Sequence, residues 1–280
     1  MKFSKLFLLP FALSFLLPFS TGCLSEEGSE GLVFIENVGG SSYALQSVGT
    51  CKDEQIVIPS QYEGKPVTRI LSRAFYGCSF VKGIDFPDEI VSIDDNAFKD
   101  CVNLSEVAFP NSLESIGGSA FANCENLSSV RFGAGSQLEK IGSAAFDGCV
   151  SLTKFEVPSK VTDVSSYAFQ NCTALEEMVF LEGATYSTET YAHWNGCVNL
   201  KRAYLPGSFR QLSWAIFQGC TSLETVFVGT EEEFAQLDRY YNKNSNGPFW
   251  EATHYFYSEE QPIQDGNYWH YVNGKMTFWE

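Results

Sequence analysis

Residues 104–124 read LSEVAFPNSLESIGGSAFANC, and their skeleton, L-x-x-V-x-F-P-x-S-L-x-x-I-G-x-x-A-F-x-x-C, returns along most of the chain. Copies occupy 81–101, 127–149, 152–172 and 200–220, with a degenerate one at 175–197. Each ends on an aromatic residue with a cysteine three positions later: Phe75/Cys78, Phe98/Cys101, Phe121/Cys124, Phe146/Cys149, Phe169/Cys172, Trp194/Cys197 and Phe217/Cys220. The aromatic residues are spaced by 23, 23, 25, 23, 25 and 23 positions. A fixed period of this length marks a solenoid, in which each unit stacks only on its neighbours.

Within one unit the pattern has a direct physical meaning. Val107 and Phe109 alternate with polar or small residues, so a short strand turns both to one face. Pro110 follows where a ladder donor is no longer needed. Leu113 and Ile116 point inward along the far side, and residues 119–123 are expected to form one short helical turn that drops Phe121 into the core. Ala120 is small because the adjacent coil packs against it. Eight strands stacked at the sheet spacing make a parallel sheet about 34 Å long.

The A-F-x-x-C-x-x-L ending with its 23-residue period resembles the BspA-like, or treponemal-type, bacterial leucine-rich-repeat family, over residues 56–228. The resemblance implies a leucine-rich-repeat solenoid, β-rich with α/β character. It would have a curved parallel β-sheet of about eight coils, short helical turns on the far side and a cap at each end. It also implies a bacterial protein, secreted or at the cell surface, in a family some of whose members bind host matrix proteins or other bacteria. It names no partner. The unit at 175–197 departs most, with His193-Trp194 in place of Ala-Phe and the insertion ATYSTETYA.

Outside the repeats the chain divides simply. Residues 1–22 are expected to be a signal peptide: Lys2 and Lys5 precede a 15-residue apolar run broken by Pro10 and Pro18, too short for a spanning helix. It closes on Ser20-Thr21-Gly22-Cys23, which resembles a bacterial lipobox and implies lipidation of Cys23. Residues 23–31 are the acidic tether, and 32–55, β-like around Gly39-Gly40, are an N-terminal cap over the first core layer. Residues 229–280 are a C-terminal cap: Thr230 caps a short acidic-fronted helix, a loop follows, and YWHYVNGKMTFW is a hairpin around Asn273-Gly274.

The full chain of 280 residues carries a formal charge of −16; without Lys2 and Lys5 the balance is 16 basic against 34 acidic residues, or −18. That acidity argues against nucleic acid as a partner and against docking on anionic lipid heads, leaving membrane attachment to the anchor alone. The chain is 44% hydrophobic, enough to bury a continuous core.

The seven repeat cysteines (78, 101, 124, 149, 172, 197, 220) hold one inward ladder position, which suits small apolar side chains and not a catalytic or metal-ligating set. Neighbouring ladder cysteines lie within disulfide range, but parallel in-register side chains would need strained torsions, so free thiols are expected. His193 and Cys197 have a metal-like i, i+4 spacing with no further ligand in sight. His254 and His270 sit among cap tyrosines as packing residues. No G-x-S-x-G, phosphate-loop, H-E-x-x-H or EF-hand pattern occurs, and neither catalysis nor a cofactor is indicated.

Binding through the sheet is the function this pattern favours, with a host or bacterial surface macromolecule, protein or glycan, as partner. The residue between the two inward strand positions faces outward, giving the row Val57, Asp85, Ala108, Arg131, Glu156, Val179, Tyr204 and Phe227. A second outward row runs through Glu106, Glu177 and Arg202, so that Glu106–Arg131 and Glu177–Arg202 can pair across strands. The first row turns apolar at Val179, Tyr204 and Phe227; these, beside Arg202, are the candidate ligand-binding residues, with Phe227 open to burial by the cap. Two rivals remain: a structural spacer with no ligand, and an enzyme acting on glycans through the aromatic C-terminal cap, which would need a pair of carboxylates or a His-centred set outside the repeat pattern converging in a pocket.

Overall fold

The computed structural model describes residues 28–185, 191–205, 214–235, 246–262, 266–272 and 275–279. The expected signal peptide, Cys23 and most of the tether lie outside the described residues. The tether's last residues are part of the folded body: the Ser29 amide donates to the Val57 carbonyl at 2.8 Å, and the Val57 amide to Ser29 Oγ at 3.0 Å.

The repeats wind into a stack with two parallel sheets, one on each side of the core. The first carries the strands Gln55–Val57, Gly83–Asp85, Glu106–Phe109, Ser129–Phe132, Lys154–Val157, Glu177–Phe180, Arg202–Tyr204 and Thr225–Val228, hydrogen-bonded as three successive ladders of two, two and four. Seven aromatic-cysteine turns separate these eight strands. The second sheet runs through the short strands Lys65–Ile70, Ser92–Ile93, Ser115–Ile116, Lys140–Ile141 and Asp163–Val164, all paired in parallel. Between the sheets Val107, Phe109, Leu113, Ile116 and Phe121 are buried, as the period-two strand and the far-side positions require.

The aromatic-cysteine turns are not helical. In residues 119–124 the amides alternate between two kinds of acceptor. Ser119, Phe121 and Asn123 donate to Ser143, Ala145 and Asp147 of the next coil at 2.7–2.8 Å. Ala120, Ala122 and Cys124 donate three residues back within their own coil. This zigzag needs left-handed backbone at two points, Ser119 (φ 51°) and Asn123 (φ 58°), and it satisfies every amide of the turn without a helix. The helical turn expected at 119–123 is therefore replaced by a hydrogen-bonded ribbon that ties coil to coil. Close approach explains the I-G pair of the repeat: a Cβ on Gly142 would stand 2.5 Å from the Gly117 backbone.

The ladder aromatics stack face to face. Phe75–Phe98, Phe98–Phe121, Phe121–Phe146 and Phe146–Phe169 have centroid separations of 4.8, 5.0, 5.4 and 5.6 Å and interplanar angles of 8° or less. Beside them, each cysteine from Cys101 to Cys220 donates its thiol to the carbonyl of the aromatic residue one coil back, as Cys124 does to Phe98 at 3.2 Å. The eight cysteines among the described residues are free thiols.

At the N-terminal end the antiparallel pair Val33–Glu36 and Tyr43–Ser47 joins the second sheet, Tyr43–Ser47 running parallel to Lys65–Ile70. At the other end the first sheet continues through Thr253–Tyr257, Tyr268–Val272 and Lys275–Phe278, the last two an antiparallel pair. The helix Glu231–Ala235 opens on a reciprocal cap: the Glu233 amide donates to Thr230 Oγ1 at 3.2 Å, and the Thr230 amide to Glu233 Oε2 at 2.9 Å. The Asn273-Gly274 turn lies outside the described residues.

Candidate functional site

The outward row of the first sheet has the register read from the repeat. Val57 pairs with Asp85, Ala108 with Arg131, and Glu156 with Val179, Tyr204 and Phe227 in succession. In the neighbouring row Glu177 pairs with Arg202, and the cross-strand ion pairs form: Arg131–Glu106 at 2.9 Å and Arg202–Glu177 at 3.6 Å. Lys154 adds contacts to Glu156 at 2.9 Å and Glu177 at 3.9 Å. Being solvent-facing, these pairs contribute little to stability, but they fix side-chain positions on the face.

Three of the four candidate residues, Val179, Arg202 and Tyr204, are half-buried on this face. Phe227 is not available to a ligand. It is 1% exposed, covered by Tyr204 stacked at 4.2 Å and by Tyr255, Phe278 and Trp269 at 5.1, 5.7 and 6.4 Å. The cap thus closes over Phe227 and turns it into the floor beneath Tyr204. Trp269 Nε1 donates to the Val228 carbonyl at 3.1 Å, which fixes that cover in place.

Burial pushes the Tyr204 phenol up to about 12, and the negative charge of Glu177 adds to the shift. Tyr204 therefore presents a protonated hydroxyl at neutral pH, with the Arg202 guanidinium beside it. The cap extends the site in a way the repeat pattern alone does not show: Tyr255 continues the row in register with Phe227, and Phe278 lies 5.3 Å from Tyr255 with about half its surface exposed. The alternation in THYFY was the available signal for Tyr255; Phe278 arrives only through the hairpin.

His193 is fully buried, and burial lowers its pKa to about 3, so the imidazole is neutral. Among the described residues no group of three or more His, Cys, Asp or Glu side chains is placed to hold a metal ion. His254 packs on Phe234 and Phe249 at 4.5 and 5.0 Å, and His270 on Trp279 at 3.8 Å. Among the described residues no helix is long and apolar enough to cross a membrane.

Two-sheet coils, a buried aromatic and thiol ladder, and a solvent-facing sheet define a leucine-rich-repeat solenoid. The family profile described as the BspA type leucine rich repeat region matches in six copies over residues 45–176 and 131–246, and the chain belongs to that family. Among solved structures it is similar to the T. pallidum leucine rich repeat protein TpLRR, at 22% identity and a TM-score of 0.56, covering 79% of this chain and 95% of that one. It is more distantly similar to the pneumococcal vaccine antigen PcpA, at 16% identity and a TM-score of 0.33, covering 81% and 94%. No curated protein matches the chain.

Proposed function

We propose that this protein is a lipid-anchored binding module on the outside of a bacterial cell, attached through Cys23. It captures a host or bacterial surface macromolecule on its first sheet. The observation that carries the reading is the Tyr204 ring, seated on the buried Phe227 and flanked by Val179 and Arg202 on an open face. A rigid aromatic anchor beside an arginine is the side-chain set that dominates protein recognition sites. The floor is supplied by the fold, so Tyr204 is held in place before a partner arrives, and less ordering is lost on binding. The acidic balance of the chain turns away nucleic acid and anionic lipid, consistent with attachment by the acyl anchor rather than by surface charge.

Two experiments test the two halves of this reading. Capture from bacterial and host surface extracts, comparing the native protein with the Arg202→Ala/Tyr204→Ala variant, should recover a partner that the variant retains at least tenfold less well. Failure to recover any partner, with both proteins folded, would favour a structural spacer. Separately, Cys23→Ala should release the protein from the membrane fraction or block its processing. A processed, membrane-bound variant would remove the anchor from the proposal.

A further inference from the structure

Among the described residues the ladder of the first sheet lapses at two places, between Gly83–Asp85 and Glu106–Phe109 and between Ser129–Phe132 and Lys154–Val157, and a hollow lies at the second. Both strands there are paired on their other sides. The coil at the hollow carries a longer loop. Phe109 and Val157 are each followed by proline and reach the next inward residue, Leu113 or Val161, in four positions. Phe132 is followed by Gly133-Ala134-Gly135 and reaches Leu138 in six. Gly133, Ala134 and Ser136 of this longer loop line the hollow.

Side chains that the repeat places in the core come into reach there. Val130 is half-buried, whereas its counterparts Ile56, Ile84, Val107, Phe155, Met178, Ala203 and Val226 are all buried. Phe132 is half-buried too and stacks on Phe109 at 5.1 Å, so its ring is held rigidly. The hollow has a volume of 680 Å³, within the range of pockets that hold small ligands. Its rim carries Arg131, Lys154 and Glu156 and the hydroxyls of Ser129, Thr153 and Ser159.

We infer that this hollow is a binding site for an uncharged saccharide, from a single sugar to a short neutral glycan. Charge points first to a neutral ligand. Each cation at the rim already has a carboxylate partner, Arg131 in Glu106 and Lys154 in Glu156 and Glu177, so neither is left unpaired for an anionic ligand. Hydrogen-bonding capacity comes next. A guanidinium has five donors and a carboxylate about four acceptor positions, so both keep unused capacity after pairing with each other. Together with the hydroxyls they suit a ligand that donates and accepts all round its edge. The partly uncovered Phe132 and Val130 call for an apolar face on the same ligand. A pyranose ring has both, hydroxyls at its rim and C–H bonds on its face. The site is separate from Tyr204 and Arg202, and it stands or falls without them.

The test uses the full-length chain in a zwitterionic detergent that carries no sugar. The probes are immobilised di- to tetrasaccharides of glucose, galactose, mannose and N-acetylglucosamine, their sialylated and sulfated counterparts, and an uncharged Ser/Thr-rich peptide. At least one neutral saccharide should bind saturably, and Glu156→Ala, an exposed-rim change, should weaken it about tenfold with the melting temperature unchanged. Arg202→Ala/Tyr204→Ala should leave it unaffected, which separates this site from the one proposed above. In the native protein the saccharide should raise hydrogen-exchange protection in residues 129–132 and 153–157, a reading that needs no variant. Preference for the charged sugars or the peptide, saturable binding that Glu156→Ala leaves intact, protection elsewhere on the chain, or no neutral saccharide bound at millimolar concentration would each overturn the inference.

Discussion

Asn246 Oδ1 accepts the backbone N–H of Phe217 at 2.9 Å, and in doing so stands in for a coil that does not exist. In every inner turn that amide donates to the following coil, as Phe98 does to Ala120, Phe121 to Ala145 and Phe146 to Ala168, at 2.7–2.8 Å. Phe217 has no further repeat above it. Asn246, itself buried, supplies the acceptor, and Phe249 from the adjoining helix Gly247–Glu251 lies 5.4 Å from the Phe217 ring to extend the aromatic stack. The C-terminal cap thus works by imitating the polar and the apolar halves of a repeat at once.

Asn246→Leu should therefore destabilise the last coil by about 1–3 kcal/mol, the cost of a buried amide left without its acceptor. Hydrogen exchange should show the loss at Phe217 and its neighbours while residues 81–124 keep their protection. Uniform loss along the chain, or none, would mean that the contact does not seal the stack.

Inside the stack the ladder rings are among the largest fully buried side chains. Phe121→Ala should cost roughly 3–5 kcal/mol by emptying a fully buried site between two stacked rings. Because each coil touches only its neighbours, protection should fall first around Phe98 and Phe146. Denaturant unfolding gives the magnitude, and exchange mapping gives the order.

Much of this architecture is legible in the repeat itself. The period assigns Val107, Phe109, Leu113, Ile116 and Phe121 to the core, and the alternation sets the outward register closely enough to anticipate Glu106–Arg131 and Glu177–Arg202. What escapes the pattern has specific physical causes. The turn at 119–123 looks helical by composition, yet its inter-coil amide bonds demand left-handed backbone at Ser119, a residue that gives no such signal. Asn246 and Phe249 sit in a stretch that reads as loop, because they serve the core one repeat at a time rather than periodically. Phe227 occupies an outward position, and only the cap's return over it decides that it is floor rather than contact. The hollow beside Ser129–Phe132 is lined by a loop two residues longer than its neighbours, but loop length does not decide strand pairing. Among the described residues Gly83–Asp85 and Glu106–Phe109 are unpaired with each other across the ordinary Phe86-Pro87 turn, and the longer coil at 175–197 leaves Glu177–Phe180 and Arg202–Tyr204 paired.

The cysteine ladder makes a chemical prediction. Burial raises Cys101 and Cys220 to about 12 and Cys124, Cys149 and Cys172 well above the ordinary thiol value. Reactivity belongs to the thiolate, so these side chains should be inert in the native protein at pH 8. Cys78 lies at the open end of the ladder, with 9% of its surface exposed, and should be the first of the seven to react. A timed pulse of iodoacetamide read by mass spectrometry would show the order. Early modification of Cys149 would contradict the packing described.

His193 places in the core a histidine that the other coils lack. Burial in the core holds its folded-state pKa near 3, against about 6.5 in an unfolded chain. Between those values the unfolded chain binds a proton that the folded one refuses, so unfolding is favoured as pH falls. The stability associated with the neutral imidazole is complete above about pH 6.5 and is lost progressively as pH drops towards 3, at about 1.4 kcal/mol per unit. Most coils carry alanine at this position, as at Ala120 and Ala145, so His193→Ala restores the repeat residue while removing the titrating group. At pH 7.5 the variant should be the less stable of the two, because truncation leaves a void beside Trp194. At pH 4.5 the order should narrow or reverse, since only the native chain carries the penalty. Urea midpoints for both proteins at the two pH values give the comparison, and a stability difference that does not change with pH would show that His193 is not the titrating group.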